Sequence, residues 1–121
     1  MNLLFVHNRP SGGAGQSLFE LVKSIEQNHN PVLLFMDEGF LKQKFDNAKN
    51  QIPQYYHPSN GSWILNRDFG YSYINYLRLF LSLPGKLSFI NKIRKIVKKH
   101  KIDFIYSNSI YFIEGAIAAN L

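Results

Sequence analysis

The fold is decided by the stretch Leu3-Leu4-Phe5-Val6-His7-Asn8-Arg9-Pro10-Ser11-Gly12-Gly13-Ala14-Gly15, in which an apolar run leads into three glycines. The run Leu3–Val6 is typical of a strand buried on both faces, because no polar residue alternates with the apolar ones. Helical spacing begins after the glycines. A strand, a glycine turn and a helix start bring backbone N–H groups together at the positive end of the helix dipole. The sequence therefore predicts a site for a phosphate or another anionic group.

The rest of the chain alternates predicted strands and helices. Continuous apolar segments predict strands, and apolar residues spaced three and four apart predict helices. Pro53 assigns the third strand to an edge of the sheet, and Pro84-Gly85 is predicted to separate two helices. The expected elements are a strand at Leu3–Val6, a helix from Gly15 or Gln16 to about Asn28, a strand at Pro31–Met36, a helix at Phe40–Ala48, a strand at Gln51–Tyr56, helices at Tyr71–Leu83 and Leu87–His100, a strand at Asp103–Tyr106 and a helix from Ile110 to the end.

This order of elements predicts an α/β fold. We expect a three-layer αβα, Rossmann-like parallel sheet of about four strands, with Leu18, Leu21, Val22 and Ile25 on the buried face of the first helix. A chain of 121 residues is expected to form a single domain over residues 1–121. Because the last helix reaches Leu121 without a cap or a following strand, we also expect a longer parent protein.

The composition excludes several classes of function. The sequence has no cysteine, which excludes disulfides, thiolate metal sites and thiol catalysis. The four histidines do not have the spacing of metal ligands, so no metal is expected. Neither a signal-peptide core nor a membrane-spanning segment is found, and a cytoplasmic location is expected. A formal net charge of +6 favours anionic partners.

The glycine segment does not match the common nucleotide motifs in full. A Walker A loop needs a lysine after its last glycine, and Gln16 stands there, so ATP hydrolysis is not expected. The dinucleotide fingerprint needs a third glycine where Leu18 stands, although Asp37 lies where a ribose-binding acid is expected. An NAD(P)-binding Rossmann domain stays open as an alternative. So does a purely structural turn whose glycines allow close packing.

A second polar cluster, Ser107-Asn108-Ser109, follows the strand that ends at Tyr106. Ligands of open α/β sheets bind beyond the carboxyl ends of the strands, so this cluster would lie beside the glycine segment if the two strands are neighbours. The alternative for Ser109 is a helix cap. His7 closes the first strand in the same region, where a structural histidine is the commoner case.

Much of the basic charge lies between Lys86 and Lys101, after an apolar and aromatic segment. The ordinary interpretation is a core helix at Tyr71–Leu83, followed by a helix that buries Ile90, Ile93 and Val97 and keeps its basic face in solvent. The alternative is a non-enzymatic module that binds an anionic membrane surface through these two helices. Nucleic-acid binding is not expected, because the aromatic and basic residues lie in separate helices.

Taken together, several segments resemble the N-terminal half of a retaining glycosyltransferase of the GT-B fold, in the large nucleotide-sugar family 4. The resemblance covers both ends of the chain and leaves residues 51–85 without a diagnostic motif. The matching segments are Leu3–His7 with Ser11–Leu18 for the first strand and glycine loop, Asn28–Asn30 with Val32–Phe35 for the Gly-His-Glu turn and second strand, Asp37–Leu41 for the next turn, and Ile102–Ser109 leading into Gly115-Ala116 for the Pro-Asp-Val-Val-His-x-His region.

The resemblance implies transfer of a sugar from a nucleotide-diphosphate sugar to a glycan or lipid-linked acceptor, with retention of configuration and without a cofactor. It also implies that this half binds the acceptor and that its glycine loop reaches the donor diphosphate. Asn108 would be the candidate for a catalytic role, although many members have a histidine there, and Tyr106 replaces an earlier histidine. The acceptor- and diphosphate-binding residues would be Asn8, Arg9, Gly12, Gly13, Ala14, Gly15, Ser107, Asn108 and Ser109.

The donor-binding C-terminal half of that family has no counterpart in this sequence. Its two glutamates separated by seven residues are absent. The resemblance therefore implies a truncated acceptor-side domain, which is not expected to catalyse transfer by itself. A peripheral position at the inner face of an anionic membrane is the accompanying expectation for its location.

Overall fold

Four parallel strands and four helices make up the part of the chain that the structure, a computed structural model, describes: residues 1–7, 13–36, 40–47, 52–58, 73–107 and 114–120. The sheet has the strand order β3-β2-β1-β4. This arrangement confirms the predicted α/β fold with a four-stranded parallel sheet. In chain order the elements are β1 (Asn2–His7), α1 (Gly13–Ile25), β2 (Asn30–Phe35), α2 (Phe40–Asp46), β3 (Gln54–Tyr56), α3 (Tyr73–His100), β4 (Phe104–Ser107) and α4 (Glu114–Ala119).

The central strand β1 pairs with β2 on one side and with β4 on the other. Val6 lies opposite Leu34 of β2 and opposite Ser107 of β4. The chain therefore proceeds outward from β1 through β2 to β3, and then crosses to the other side of β1 to form β4. The strand order reverses at the boundary between β1 and β4, which is the topological switch point of the sheet.

Each face of the sheet is covered by helices, which gives the three predicted layers. Leu4 and Val6 point to the face where α3 and α4 contribute Phe89, Ile93 and Ala118. Phe5 points to the other face, where α1 and α2 supply the rest of the core. Successive side chains of a strand point to opposite faces, so the continuous apolar run of β1 supports both cores. The buried members of the second core are Phe5, Leu18, Val22, Leu33, Phe35 and Phe45.

Asparagine side chains tie the amino ends of the strands together. The side-chain amide of Asn2 donates to the carbonyls of His100 (2.9 Å) and Lys101 (3.0 Å). Asn30 donates to the side-chain oxygen of Asn2 at 2.9 Å, and the backbone N–H of Asn2 donates to the carboxylate of Asp103 at 2.8 Å. These bonds join the starts of β1 and β2 to the end of α3, so this edge of the sheet has a structural role.

The predicted break at Pro84-Gly85 is wrong, because α3 runs without interruption from Tyr73 to His100. Pro84 lacks an N–H and so removes one hydrogen bond, the one to the carbonyl of Phe80. Its ring is exposed and meets solvent there. The residues that follow pack on the sheet through Phe89 and Ile93, and this packing supports the helix on the carboxyl side of the proline.

The expectation of a core helix before Pro84 is also wrong. Six apolar residues of this half of α3 are exposed, from 48% for Leu77 to 83% for Tyr73, and Leu83, next to the proline, is half-buried. The half of α3 after Pro84 does pack as predicted, with Ile90 and Ile93 buried and Val97 against the core. Only the second half of α3 therefore belongs to the core.

Other differences from the predicted elements are small. α1 begins at Gly13 rather than at Gly15 or Gln16, and Leu21 is exposed where a buried position was expected. β3 shortens to Gln54–Tyr56 but lies at an edge, as Pro53 predicts. The predicted start of the last helix at Ile110 falls outside the described residues.

Candidate functional site

The carboxyl ends of the strands meet at one edge of the sheet, because every strand pair is parallel. His7 ends β1, and Ser107 ends β4 one residue away in register, opposite Val6. The backbone N–H of Met36 donates to the carbonyl of His7 at 3.1 Å, which keeps the chain beyond β2 beside β1. The sequence analysis expected the glycine segment to lie near Ser107 if β1 and β4 were neighbours. The two strands are neighbours.

The helices that follow β1 and β4 in the chain lie on opposite faces of the sheet. Leu18 and Val22 of α1 pack on one face, and Ala118 of α4 packs on the other. Two connections that leave neighbouring strands in opposite directions open a crevice between them, and ligands of doubly wound sheets bind in such a crevice. Of the two polar segments singled out in the sequence, the described residues are Gly13–Gly15, at the start of α1, and Ser107, at the end of β4.

Gly13 is the first residue of α1 and is exposed. A Cβ built on Gly13 meets no atom within 4 Å, whereas one on Gly115 would stand 3.3 Å from Cγ2 of Ile105. Close packing therefore explains glycine at Gly115 but not at Gly13. The open space leaves the backbone at the start of α1 accessible to an approaching group.

The end of β4 carries one aromatic and one hydroxyl side chain. Tyr106 lies opposite Phe5, and the two ring centroids are 5.4 Å apart. Ser107 is half-buried at the switch point. Aromatic packing thus holds Tyr106 against the central strand. Ser107, the last residue of β4, is the polar side chain at the end of this strand.

Six of the predicted site positions lie outside the described residues. They are Asn8, Arg9 and Gly12 beyond β1, Asp37 beyond β2, and Asn108 and Ser109 beyond β4. The predicted roles of these residues, including the catalytic candidate Asn108, stay predictions. Of the assigned set, the structure places Gly13, Ala14 and Gly15 in the first turn of α1 and Ser107 at the end of β4.

His7 is 2% exposed at the end of β1, in line with the structural role that is commoner for such a residue. The other histidines are spread over the fold, with His29 and His100 near the amino edge and His57 after β3. Within the described ranges, no group of three histidine or acidic side chains could hold a metal ion.

Comparison with known proteins identifies the architecture. No model of a known protein family matches the chain, and no curated protein matches its sequence. Among solved structures, the crystal structure of Acinetobacter baumannii MurG superposes with a TM-score of 0.60 at 14% identity, covering 98% of this chain and 31% of that chain. The chain folds as one Rossmann-like half of the GT-B fold. It spans less than a third of the length of the protein that it matches.

This GT-B half has a second surface that is unusual in composition. The exposed apolar face of α3 is formed by Tyr73, Ile74, Tyr76, Leu77, Phe80 and Leu81. The sequence holds no Asp or Glu between Asp68 and Asp103, so α3 carries positive charge alone. In the part of the chain that the structure describes, no helix is both long enough and apolar enough to span a bilayer.

The GT-B half also contains a groove that the sequence analysis did not find. Its volume is about 480 Å³, and it lies between the residue after β3 and the middle of α3. His57 bonds to Ser88 across it, with Nε2 and Oγ 3.0 Å apart. The helical spacing of Ser88, Lys92 and Lys95 was a usable signal, but the expected break at Pro84-Gly85 and the distance in sequence to His57 hid the pairing.

Proposed function

We propose that the chain is the acceptor-side part of a glycosyltransferase that moves a sugar from a nucleotide-diphosphate sugar to a glycan or lipid-linked acceptor. The observation that carries this proposal is the pairing of β1 with β4, because it brings the start of α1 and Ser107 to the switch point of a glycosyltransferase-like fold. Retention of configuration and the absence of a metal or other cofactor follow the family resemblance of the sequence.

The start of α1 supplies chemistry that suits a diphosphate. The first four N–H groups of a helix have no acceptor within the helix, and the helix dipole is positive there. Gly13 leaves the space for an anion to approach the backbone closely. Ser107 on the neighbouring strand offers a hydroxyl that can donate to a phosphate or sugar oxygen. Donors from α1 and from β4 would then face the same crevice.

The first test is a nuclear magnetic resonance titration of the chain with uridine diphosphate, guanosine diphosphate and inorganic pyrophosphate. We expect saturable shifts that include the backbone amides of Gly13, Ala14 and Ser107. Gly13→Trp should abolish the shifts, because the indole fills the open space, whereas Gly13→Ala should leave the fold intact and serve as the control for loss of a glycine. NAD serves as a fourth ligand, and a preference for NAD that Asp37→Ala removes would favour the NAD(P)-binding alternative.

The second test is sugar transfer by a protein in which this chain is followed by a donor-binding half. We expect hydrolysis of the nucleotide sugar or transfer to the acceptor, together with loss of either activity in Gly13→Trp. The anomeric configuration of the product tests retention. A folded two-domain protein that does neither, combined with no ligand response in the chain, would make the proposal wrong.

A second proposed function is peripheral contact with the inner face of an anionic membrane. The exposed apolar face of α3 supports it, because a soluble helix normally buries such side chains. Charge complementarity supports the same partner, since the Lys and Arg residues of α3 have no acidic neighbour in that helix. An anionic lipid bilayer offers both an apolar interior and a negative surface.

Vesicle sedimentation tests this contact. Binding to phosphatidylcholine vesicles should increase when phosphatidylglycerol is added and decrease at high salt. Phe80→Ser should weaken binding, whereas Phe104→Ser, which removes a ring of similar exposure (61% against 68%) from β4, should not. Equal binding to neutral and anionic vesicles would contradict the electrostatic part, and equal losses in the two variants would contradict the role of α3.

A further inference from the structure

The groove between the end of β3 and the middle of α3 has a wall of hydrogen-bond donors. Ser88, Asn91, Lys92 and Lys95 recur at spacings of three and four, which places them on one face of α3. His57 faces them from the residue after β3. The groove is distinct from the switch point, because β3 and β4 are opposite edges of the sheet.

None of the described residues that line the groove carries a negative charge. Lys92 and Lys95 are three residues apart on a helix that contains no acidic residue. Two like charges at this spacing destabilise a helix slightly. Lys92 has an additional contact, with its ammonium 5.4 Å from the centre of the Tyr55 ring on β3. An anion in the groove would relieve the repulsion between the two ammonium groups.

His57 orients the hydroxyl of Ser88. Nε2 of His57 lies 3.0 Å from Oγ of Ser88, while Nδ1 is buried and has no hydrogen-bond partner in the described part of the chain. Because Nδ1 has no acceptor, the favoured neutral tautomer carries its proton on Nε2 and donates to Ser88. The hydroxyl proton of Ser88 is then available to a ligand. Packing of the imidazole on Phe89, with centroids 5.4 Å apart, holds the ring in place.

We propose that this groove binds a phosphomonoester through Ser88, Asn91, Lys92 and Lys95. A phosphomonoester carries a charge of about −1.5 to −2 at neutral pH and three terminal oxygens. Two ammonium groups, one amide and one hydroxyl match that charge and that number of acceptors. A volume of about 480 Å³ leaves room for the group esterified to the phosphate. The proposal does not depend on sugar transfer.

The experiment separates the groove from general positive charge. The double variant Lys92→Gln with Lys95→Gln removes the two groove lysines. The control, Lys98→Gln with Lys99→Gln, removes the same charge from the same helix, and Lys99 matches Lys92 because it also lies 5.4 Å from the centre of the Tyr55 ring. The ligands are inorganic phosphate and glycerol 3-phosphate, followed by phosphatidylcholine vesicles that contain either phosphatidic acid or phosphatidylglycerol.

We expect the groove variant to weaken glycerol 3-phosphate binding by at least about tenfold, since it removes two charged donors to the phosphate. The control variant should change binding by less than about twofold. Ser88→Ala should weaken binding without changing the net charge, and the amide shifts should centre on residues 88–95. This result identifies a soluble phosphomonoester as the ligand.

A lipid source gives a different pattern. If the soluble phosphates do not bind, the proposal requires tighter binding to phosphatidic acid than to phosphatidylglycerol vesicles, and loss of that preference in the groove variant alone. Equal weakening of both double variants, or no preference for a phosphomonoester in either ligand series, would overturn the proposal. Circular dichroism and thermal unfolding of each variant confirm that the fold is retained.

Discussion

The two halves of α3 have similar side chains and opposite surroundings. Phe89, after Pro84, is fully buried, whereas Phe80, before it, is 68% exposed. The two phenylalanines differ in burial because their halves of α3 have different packing partners. The carboxyl half packs on β1, β2 and α4, while the amino half does not contribute to the described core. Apolar composition therefore does not identify the core of this protein by itself, and the position of the sheet decides which apolar residues are buried.

The two halves of α3 also differ in what they contribute to the protein. The carboxyl half stabilises the domain through Phe89, Ile93 and Ile96, and it displays the groove lysines on its outer side. The amino half buries little, so its apolar residues are available to a partner. A protein can maintain such a surface only if the helix that carries it is supported elsewhere, and the packing of the carboxyl half supplies that support.

The largest expected effect comes from truncating the matched phenylalanines. Phe89→Ala should lower the free energy of unfolding by about 3–5 kcal/mol, because it opens a cavity between α3 and the sheet. Phe80→Ala should change it by less than about 0.5 kcal/mol, because the ring is exposed. Urea denaturation of both variants measures the difference. Similar losses in the two variants would mean that the amino half is packed after all.

A smaller and more local effect is expected for Pro84→Ala. An alanine at this position can donate to the carbonyl of Phe80 and should stabilise the amino half of α3 by up to about 3 kcal/mol. Amide hydrogen exchange of residues 73–83 should therefore slow by as much as about a hundredfold, with little change in global stability.

The control for this variant is Pro58→Ala, which replaces an exposed proline outside the helices. It should leave the exchange rates of residues 73–83 unchanged. If Pro84→Ala also leaves them unchanged, the two halves of α3 do not act as one continuous helix in solution.

The sequence predicted the parallel sheet because the apolar runs of β1 and β2 have no polar alternation, which requires helices on both faces. It failed at Pro84, since a rule that treats proline as a helix end does not include the tertiary contacts of Phe89 and Ile93. It also misplaced Leu21, because α1 packs Leu18 and Val22 on the sheet and turns Phe19, rather than Leu21, to the edge of that core. Local spacing predicts elements well and predicts their burial only when the packing partner is known.

The candidate sites also divide into features that the local sequence predicts and features that depend on tertiary packing. The glycine segment and Ser107 could be singled out because the first follows a strand and the second ends one, and the general geometry of parallel sheets brings strand ends together. That Gly13 faces open space could not be read from the sequence, because the empty volume depends on the fold around α1. The groove was missed since His57 and Ser88 are 31 residues apart and meet only through the packing of α3 beside β3.

The smallest effect concerns how the carboxyl end of α3 is fastened to the sheet. The hydroxyl of Tyr55 on β3 lies 2.7 Å from Nε2 of His100, the last residue of α3. Tyr55→Phe removes this bond and keeps the ring under Lys92 and Lys99, so it should cost about 1 kcal/mol. Tyr76→Phe, in the exposed amino half, should cost less than about 0.5 kcal/mol. Thermal unfolding of the two variants measures the difference, and an equal cost would show that the hydroxyl of Tyr55 contributes no more than one in solvent, so that the bonds of Asn2 and the apolar packing hold the carboxyl half of α3 on the sheet.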